Sequence, residues 1–258
     1  MTKTKKFALI LGGSKGLGWA SAKKLAGEGW NLILIHRDPK NQLDEFYDEL
    51  KHLKNQGCKC YSFNKDATKP EVMESIIQQL RAEIPLLKID LVLHSIAKGS
   101  LKNMYGEDKL TALDFSISVQ AMGYSLYQWV DALFEADLLN NPSKVLAFTS
   151  EGNQKAWSGY AAVSSAKGVL EAVMRNIALE FAKFGITSNC IQAGLTRTDA
   201  FKRIPNSEKL AKVREKQNPM GRLTQPKDVA NVVYLLTLAE ASWINGSIIK
   251  VDGGESIT

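Results

Sequence analysis

The chain holds little that suits metal or disulfide chemistry. Only three cysteines, Cys58, Cys60 and Cys190, and three histidines, His36, His52 and His94, occur among its 258 residues. Cys58 and Cys60 flank a single lysine, with no second Cys or His pair at zinc-site spacing, so no metal site is expected. So few cysteines also fit a reducing compartment. Missing too is any apolar run near the roughly 20 residues that cross a bilayer, so no membrane association is expected. The opening MTKTKK runs straight into FALILGG, a short apolar stretch closed by glycines. It reads as a first strand rather than a secretion signal, and a cytoplasmic address is expected. No nucleic-acid-binding motif accompanies the net charge of +6. The surplus suits anionic small molecules such as dinucleotides and coenzyme A, or an acidic partner protein. No repeat, low-complexity tract or linker divides the chain, so residues 1–258 read as one domain.

What is present is an alternation. FALILGG, NLILIHR, CYSFNKD, IDLVLHS, KVLAFTS, TSNCIQAG and GSIIKVDGG read as seven strands. Between them lie helix-like stretches at 17–28, 40–55, 70–83, 110–135, 160–183 and 226–238. The strands are apolar nearly throughout, as strands buried on both faces must be. The pattern predicts an α/β fold, a doubly wound seven-stranded parallel sheet of Rossmann type flanked by helices. Residues 196–217, TRTDAFKRIPNSEKLAKVREKQ, break the rhythm and read as an excursion over the sheet edge.

The first strand ends in LGGSKGLG, where Gly12, Gly16 and Gly18 give the spacing G-x-x-x-G-x-G. Small residues allow a tight strand-to-helix turn, and the helix N-terminus that follows favours a pyrophosphate through its free N–H groups and dipole. Gly12, Ser14, Lys15, Gly16, Leu17 and Gly18 are therefore candidate cofactor residues. The second strand ends in His36 and Arg37, with Asp38 just beyond, where an NAD site commonly places an acid on the ribose. Lys15 and Arg37 around the adenosine ribose suit a 2′-phosphate, so NADPH is expected in preference to NADH. Asp66, after the third strand, could meet the adenine amino group or cap a helix; Ala67 follows it.

Tyr160 and Lys167 are separated by six residues, and Val163 stands where a tyrosine at the shorter, three-residue spacing would be. Together with GGSKGLG, HSIA at 94–97, Ser150, NCIQAGLTRT and GSIIKVDGG, this pair makes nearly the whole chain resemble the short-chain dehydrogenase/reductase family. The six-residue spacing, HSIA and AGLTRT resemble most its enoyl-acyl-carrier-protein reductases of fatty-acid synthesis, as does TDAFKRIPN their substrate loop. The resemblance implies a homotetramer or homodimer and assigns catalysis to Tyr160, Lys167 and Ser150. Tyr160 would serve an enolate oxygen, Lys167 would hold the nicotinamide ribose and ease proton release from the phenol, and Ser150 would orient substrate or tyrosine. Ser95, Ile96, Ala97, Gly194, Leu195 and Thr198 would line the cofactor, and Asp252-Gly253-Gly254 would form a structural terminal turn. The chain departs from the family in carrying Ser150 where many enoyl reductases have a second tyrosine. It also has Gln120 where ketone reducers have a relay asparagine, and Ala193-Gly194 for their Pro-Gly.

The wider spacing has a chemical reason. Ketone reduction delivers hydride next to the oxygen that needs a proton, whereas enoyl reduction delivers it to C3 while charge develops on the thioester oxygen at C1. Moving the tyrosine three residues shifts it one helical turn, roughly 4.5 Å. Seven residues return nearly to the same helical face, so Lys167 still shares the site. The leading expectation is an NADPH-dependent enoyl-thioester reductase. A 3-oxoacyl or other carbonyl reductase is the alternative, and a cofactor-binding regulator without turnover is a third reading. The substrate would ride on coenzyme A or an acidic acyl carrier protein. Residues 196–217 are expected to act as a lid, with Leu195, Phe201, Ile204 and Leu210 lining an acyl slot. Its cations Lys202, Arg203, Lys209, Lys212, Arg214 and Lys216 outnumber Asp199, Glu208 and Glu215, and would recruit the carrier.

Overall fold

A computed structural model describes residues 5–204 and 207–258. The first four residues, and Pro205 and Asn206 of the TDAFKRIPN stretch, lie outside it. Seven strands form one parallel sheet: β1 Phe7–Leu11, β2 Asn31–His36, β3 Cys60–Asn64, β4 Ile89–His94, β5 Leu139–Thr149, β6 Ile186–Ala193 and β7 Ile248–Val251. Their order is β3-β2-β1-β4-β5-β6-β7, with every pairing parallel. The chain reverses direction across the sheet between β1 and β4, and the crevice outside their carboxyl ends is where an open α/β sheet takes its ligand.

The apolar strands serve two cores. Leu9, Leu11, Ile33 and Ile35 face one side, and Ala8, Ile10, Leu32 and Leu34 face the other. The first core is closed by α3 (Pro70–Glu83), α5 (Ser125–Glu135) and α6 (Ala161–Glu180); the second by α1 (Gly16–Gly27), α2 (Leu43–Asn55) and α9 (Pro226–Leu235). Each fully buried Leu or Ile contributes about 1.5–3 kcal/mol relative to exposure. Trp129 of α5 is fully buried and donates its indole N–H to the Ala67 carbonyl at 2.8 Å, tying the β3–α3 turn to the core. Cys58 and Cys60 are free, buried thiols in the second core, 3.2 Å apart.

Two elements differ from the sequence reading. The predicted 110–135 helix is α4 (Ala112–Val119) and α5 joined by a π-helical turn, Gln120–Tyr124. A π turn inserts one residue into the helical register, but α4 buries only Ser118, so no apolar stripe ahead of the turn marks the shift. The 196–217 excursion holds two helices, α7 (Asp199–Lys202) and α8 (Ser207–Gln217). Phe201, Ala211 and Leu223 bury together there, with Leu195, Ile204 and Leu210 packed against them.

Candidate active site

The glycine loop leaves β1 with Gly12 at φ +81°, where a Cβ would lie 2.5 Å from the Ser95 carbonyl oxygen. A Cβ on Gly18 would lie 2.2 Å from the Gly12 carbonyl oxygen. The loop thus presses against both the β4 exit and its own helix, which only hydrogen side chains permit. Helix α1 starts at Gly16 with no side-chain cap and no acid in its first turn. Its first N–H groups are left for an anion. A dinucleotide pyrophosphate fits this cradle.

Charged groups crowd the adjoining end of β2. Asp38 is nearly buried; Lys15 reaches it at 2.8 Å and His36 Nδ1 at 2.8 Å, and Lys15 also donates to Gln42. Arg37 stays exposed and pairs with Asp66 at 2.9 Å. Asp66 also receives Lys98 at 3.2 Å, the Thr68 amide at 3.0 Å and the Thr68 hydroxyl at 2.6 Å. Burial alone would raise the Asp66 carboxyl, but the Thr68 bonds and Lys98 outweigh it and hold the pKa at about 2. Asp66 closes a local turn on Thr68 and is shared with two cations, whereas the cap position of α3 is Lys69, so Asp66 is not the helix cap.

On the other side of the switch point, β5 ends at Thr149 and Tyr160 stands immediately before α6. The Ser150 and Tyr160 hydroxyls are 3.2 Å apart. Val163 packs with Ala121, Met122 and Ala166 in a small apolar cluster, so the alternative tyrosine place is a packing position. Lys167, buried on α6, donates to the Phe148 carbonyl at 2.8 Å. Burial lowers its pKa to about 8, against upward pulls from Cys190 and Glu171. Glu171, one turn further along and also buried, accepts from Thr149 Oγ1 at 2.6 Å.

Burial raises the Tyr160 pKa and the Ser150 hydrogen bond opposes it. The Lys167 ammonium is turned to the Phe148 carbonyl.

Thr149, Ser150, Tyr160, Val163 and Lys167 line a cleft open to solvent, which also contains Leu17, Ala97, Gly194, Leu195 and Thr198. Ser95 donates its amide to Leu11 at 2.8 Å, and Gly194 donates to Val251 at 3.0 Å. Ile96 packs beside the Val163 cluster. One expected cofactor donor, the Leu195 amide, is otherwise engaged, while the Thr198 hydroxyl accepts a bond and keeps its own O–H to donate. The Leu195 amide donates to Glu255 Oε2 at 2.9 Å, and Thr198 Oγ1 accepts from the Phe201 amide at 3.2 Å as the cap of α7. Gln120 donates to Gln128 at 2.9 Å and is not among the cleft residues. In the terminal turn, Asp252 accepts from the Gly254 amide at 3.0 Å and the Ser256 amide at 3.1 Å.

Phe201, Ile204 and Leu210 do reach the cleft, as does Arg203. Arg214 departs from the expected outward array of cations: its side chain is 14% exposed and lies 3.7 Å from Glu151. Lys202 pairs with Asp199 at 3.2 Å. Sequence reasoning missed Trp157, whose ring lies 5.3 Å from that of Tyr160, along with Glu151 and Glu255 in the cleft wall. Trp157 is three residues before Tyr160 and could have been found by that proximity. The two glutamates carry no motif.

If the Lys167 ammonium is the working form, activity falls as pH rises through about 8. Glu171→Gln removes a group that raises this pKa, so the alkaline limb of kcat/KM moves to lower pH; an unmoved limb counts against the assignment. The sign for stability is opposite. The fold favours neutral Lys167, so its contribution to stability grows as pH rises from about 8 toward the ordinary 10.5.

A family model described as enoyl-(acyl carrier protein) reductase matches residues 12–256. A tropinone reductase homologue of Arabidopsis thaliana is 28% identical over 255 residues, spanning 98% of this chain and 91% of the relative. A probable 2,4-dienoyl-CoA reductase of Bacillus subtilis is 26% identical over 265 residues, spanning 97% and 96%. Among solved structures, an enoyl-[acyl-carrier-protein] reductase (NADH) from Aquifex aeolicus superposes with a TM-score of 0.84. It is 24% identical and covers 98% of this chain and 97% of its own, a likeness of fold. Among the described residues, no helix is long and apolar enough to cross a membrane.

Proposed function

The chain belongs to the short-chain dehydrogenase/reductase family, with a domain of enoyl-acyl-carrier-protein reductase type, and from that premise we propose that it reduces the C2–C3 double bond of enoyl thioesters with NADPH. The observation that carries this reading is the position of Tyr160. It stands one turn before Val163, in hydroxyl contact with Ser150, and seven residues before the buried Lys167.

The nicotinamide cofactor, when bound, supplies the hydride. The chain's own groups do the rest. The glycine cradle and the uncapped start of α1 take the pyrophosphate. Lys167, released from the Phe148 carbonyl, binds the ribose hydroxyls. The Tyr160 hydroxyl donates to the thioester oxygen, where negative charge develops only as C3 is reduced, so the bond strengthens toward the transition state. Ser150 accepts from or donates to that phenol and fixes its direction. Because burial raises the Tyr160 pKa, the phenol is kept protonated and ready to donate. The apolar side chains Phe201, Ile204 and Leu210 give the acyl chain a wall and exclude water. We infer a thioester of coenzyme A or of an acidic carrier protein as substrate. We also infer a homotetramer or homodimer, in keeping with the exposed apolar Leu113, Ile117 and Tyr127 on α4 and α5.

A carbonyl reductase is the second reading, favoured by the Ser150–Tyr160 pair, since two hydroxyls at 3.2 Å could share one ketone oxygen. Isotope position separates the two. With deuteride on the transferred position of NADPH and crotonyl-CoA as substrate, the label appears at C3 of butyryl-CoA. Label found only beside an alcohol, after reduction of acetoacetyl-CoA, would favour the second reading.

NADPH preference rests on Asp38 being nearly buried and held by Lys15 and His36, so that the acid near the ribose is already neutralised. Arg37 is exposed, and a surface pair such as Arg37–Asp66 is worth only about 0–1 kcal/mol. A charge-assisted bond to a 2′-phosphate is worth about 1.5–3 kcal/mol. Arg37→Ala should therefore raise KM for NADPH about tenfold and leave NADH nearly unaffected. Equal use of both cofactors by the unmodified protein would count against this preference.

A further inference from the structure

Four segments meet beneath the cleft. Glu151 follows Ser150 at the end of β5 and is buried. Glu255, in the C-terminal tail, is buried at 3% exposure and accepts the Leu195 amide at 2.9 Å. Arg214 reaches in from α8 to 3.7 Å from Glu151 Oε2, and Asn218 just beyond α8 donates to the Asp252 carbonyl at 2.8 Å. Lys155 pairs with Glu151 Oε1 at 2.7 Å, although neither carboxylate oxygen of Glu151 makes a hydrogen bond.

We propose that Arg214 is a positioning residue: its guanidinium, drawn in to 3.7 Å from Glu151 while Asn218 just beyond it binds the Asp252 carbonyl, holds the Ser150 loop, the Leu195 loop and the C-terminal tail in the arrangement the reaction needs. Two buried carboxylates near one another repel, and the charge between them decides whether both stay in place. Burial and the charge of Glu151 and Asp252 push the Glu255 pKa up, while the Leu195 amide and Arg214 pull it down. Glu151 has Lys155 as a second cation, whereas for Glu255 the charge that lowers its pKa, after the Leu195 amide, is that of Arg214. Loss of Arg214 would therefore act first on Glu255 and, through the Leu195 amide, on the loop beside Gly194. The adenosine end, gripped by the glycine loop and Arg37, is remote from this junction in the chain and shares none of its residues.

The inference rests on the proposed reductase site, and the readouts separate the two. Arg214→Met is compared with the unmodified chain for turnover of crotonyl-CoA and, by nicotinamide fluorescence, for NADPH binding. The expected result is a roughly 10- to 100-fold fall in kcat with NADPH affinity within about threefold. Arg214→Met combined with Glu255→Gln should regain most of the loss, because the amide still accepts from Leu195 and no longer repels Glu151. A double variant as damaged as the single, or a single variant with normal kcat, overturns the inference. Should Arg214→Met fail to fold, Arg214→Lys is measured in the same way. It keeps the charge and should lose much less than tenfold, and a greater loss overturns the charge-holding role. A chain that binds no nicotinamide cofactor overturns the proposed function instead.

Discussion

Tyr160→Phe should lower kcat for crotonyl-CoA by about 10²- to 10³-fold and leave NADPH affinity within about threefold. The change removes one oxygen and nothing else. The Tyr160 ring packs beside Trp157 at 5.3 Å and against Gly152, where a Cβ would come within 2.4 Å of it. A phenylalanine ring fills the same space, so the fold and the start of α6 persist. Among the described residues the hydroxyl's partner is Ser150, and the loss of that bond leaves a small polar group beside an open cleft. The large effect is confined to the step in which charge reaches the substrate oxygen. Steady-state kinetics and fluorescence titration on the same preparation test this. Turnover within a few-fold of the unmodified chain would remove Tyr160 from the chemistry.

Gly18→Ala should abolish measurable NADPH binding, a loss of roughly 10²-fold or more, and lower thermal stability. The obstacle is backbone. A methyl at this position lies 2.2 Å from the Gly12 carbonyl oxygen, and Gly12 is itself tied to β2 by its amide, 2.8 Å from the Ile35 carbonyl. Neither can retreat by a rotamer change, so the start of α1 must shift away from the loop and the phosphate cradle opens. Overpacking of this kind costs about 1–3 kcal/mol in stability. Gly27, at the other end of the same helix, has nothing within 4 Å of a Cβ. Gly27→Ala is the control, expected to be neutral or stabilising by about 0.5–1 kcal/mol. Isothermal titration with NADPH and a thermal melt distinguish the two. If Gly18→Ala binds normally, the cradle is not where the cofactor's phosphates sit.

The central strands β1, β2 and β4 were legible in the sequence because they are apolar almost throughout and closed by a turn; Leu9 and Ile10 serve opposite cores, yet both are apolar. The glycine loop was legible because its spacing has a steric cause. The turn at Gln120 was not, since α4 buries only Ser118 and offers no apolar stripe against which a one-residue insertion would show. Nor could spacing show which protein neighbours a polar group meets. Asp66 caps the Thr68 turn, Leu195 donates to a glutamate sixty residues away, and Lys167 turns to a strand carbonyl. Such partners are set by tertiary neighbours. Arg214 looked like one cation among six on a solvated helix, and only the packing of α8 against the tail turns it inward. Glu151 and Glu255 are unremarkable in sequence for the same reason, being ordinary acids until burial brings them together.

Reduction of a carbon–carbon double bond rather than a ketone is the central claim, and the competing substrates test it most directly. NADPH oxidation is followed at one enzyme concentration with crotonyl-CoA and, separately, with acetoacetyl-CoA. With Tyr160 one turn back from the ketone-reducing position, turnover with crotonyl-CoA should exceed that with acetoacetyl-CoA by about two orders of magnitude, the weight of one misplaced donor. Preferential oxidation of NADPH by acetoacetyl-CoA would contradict the account.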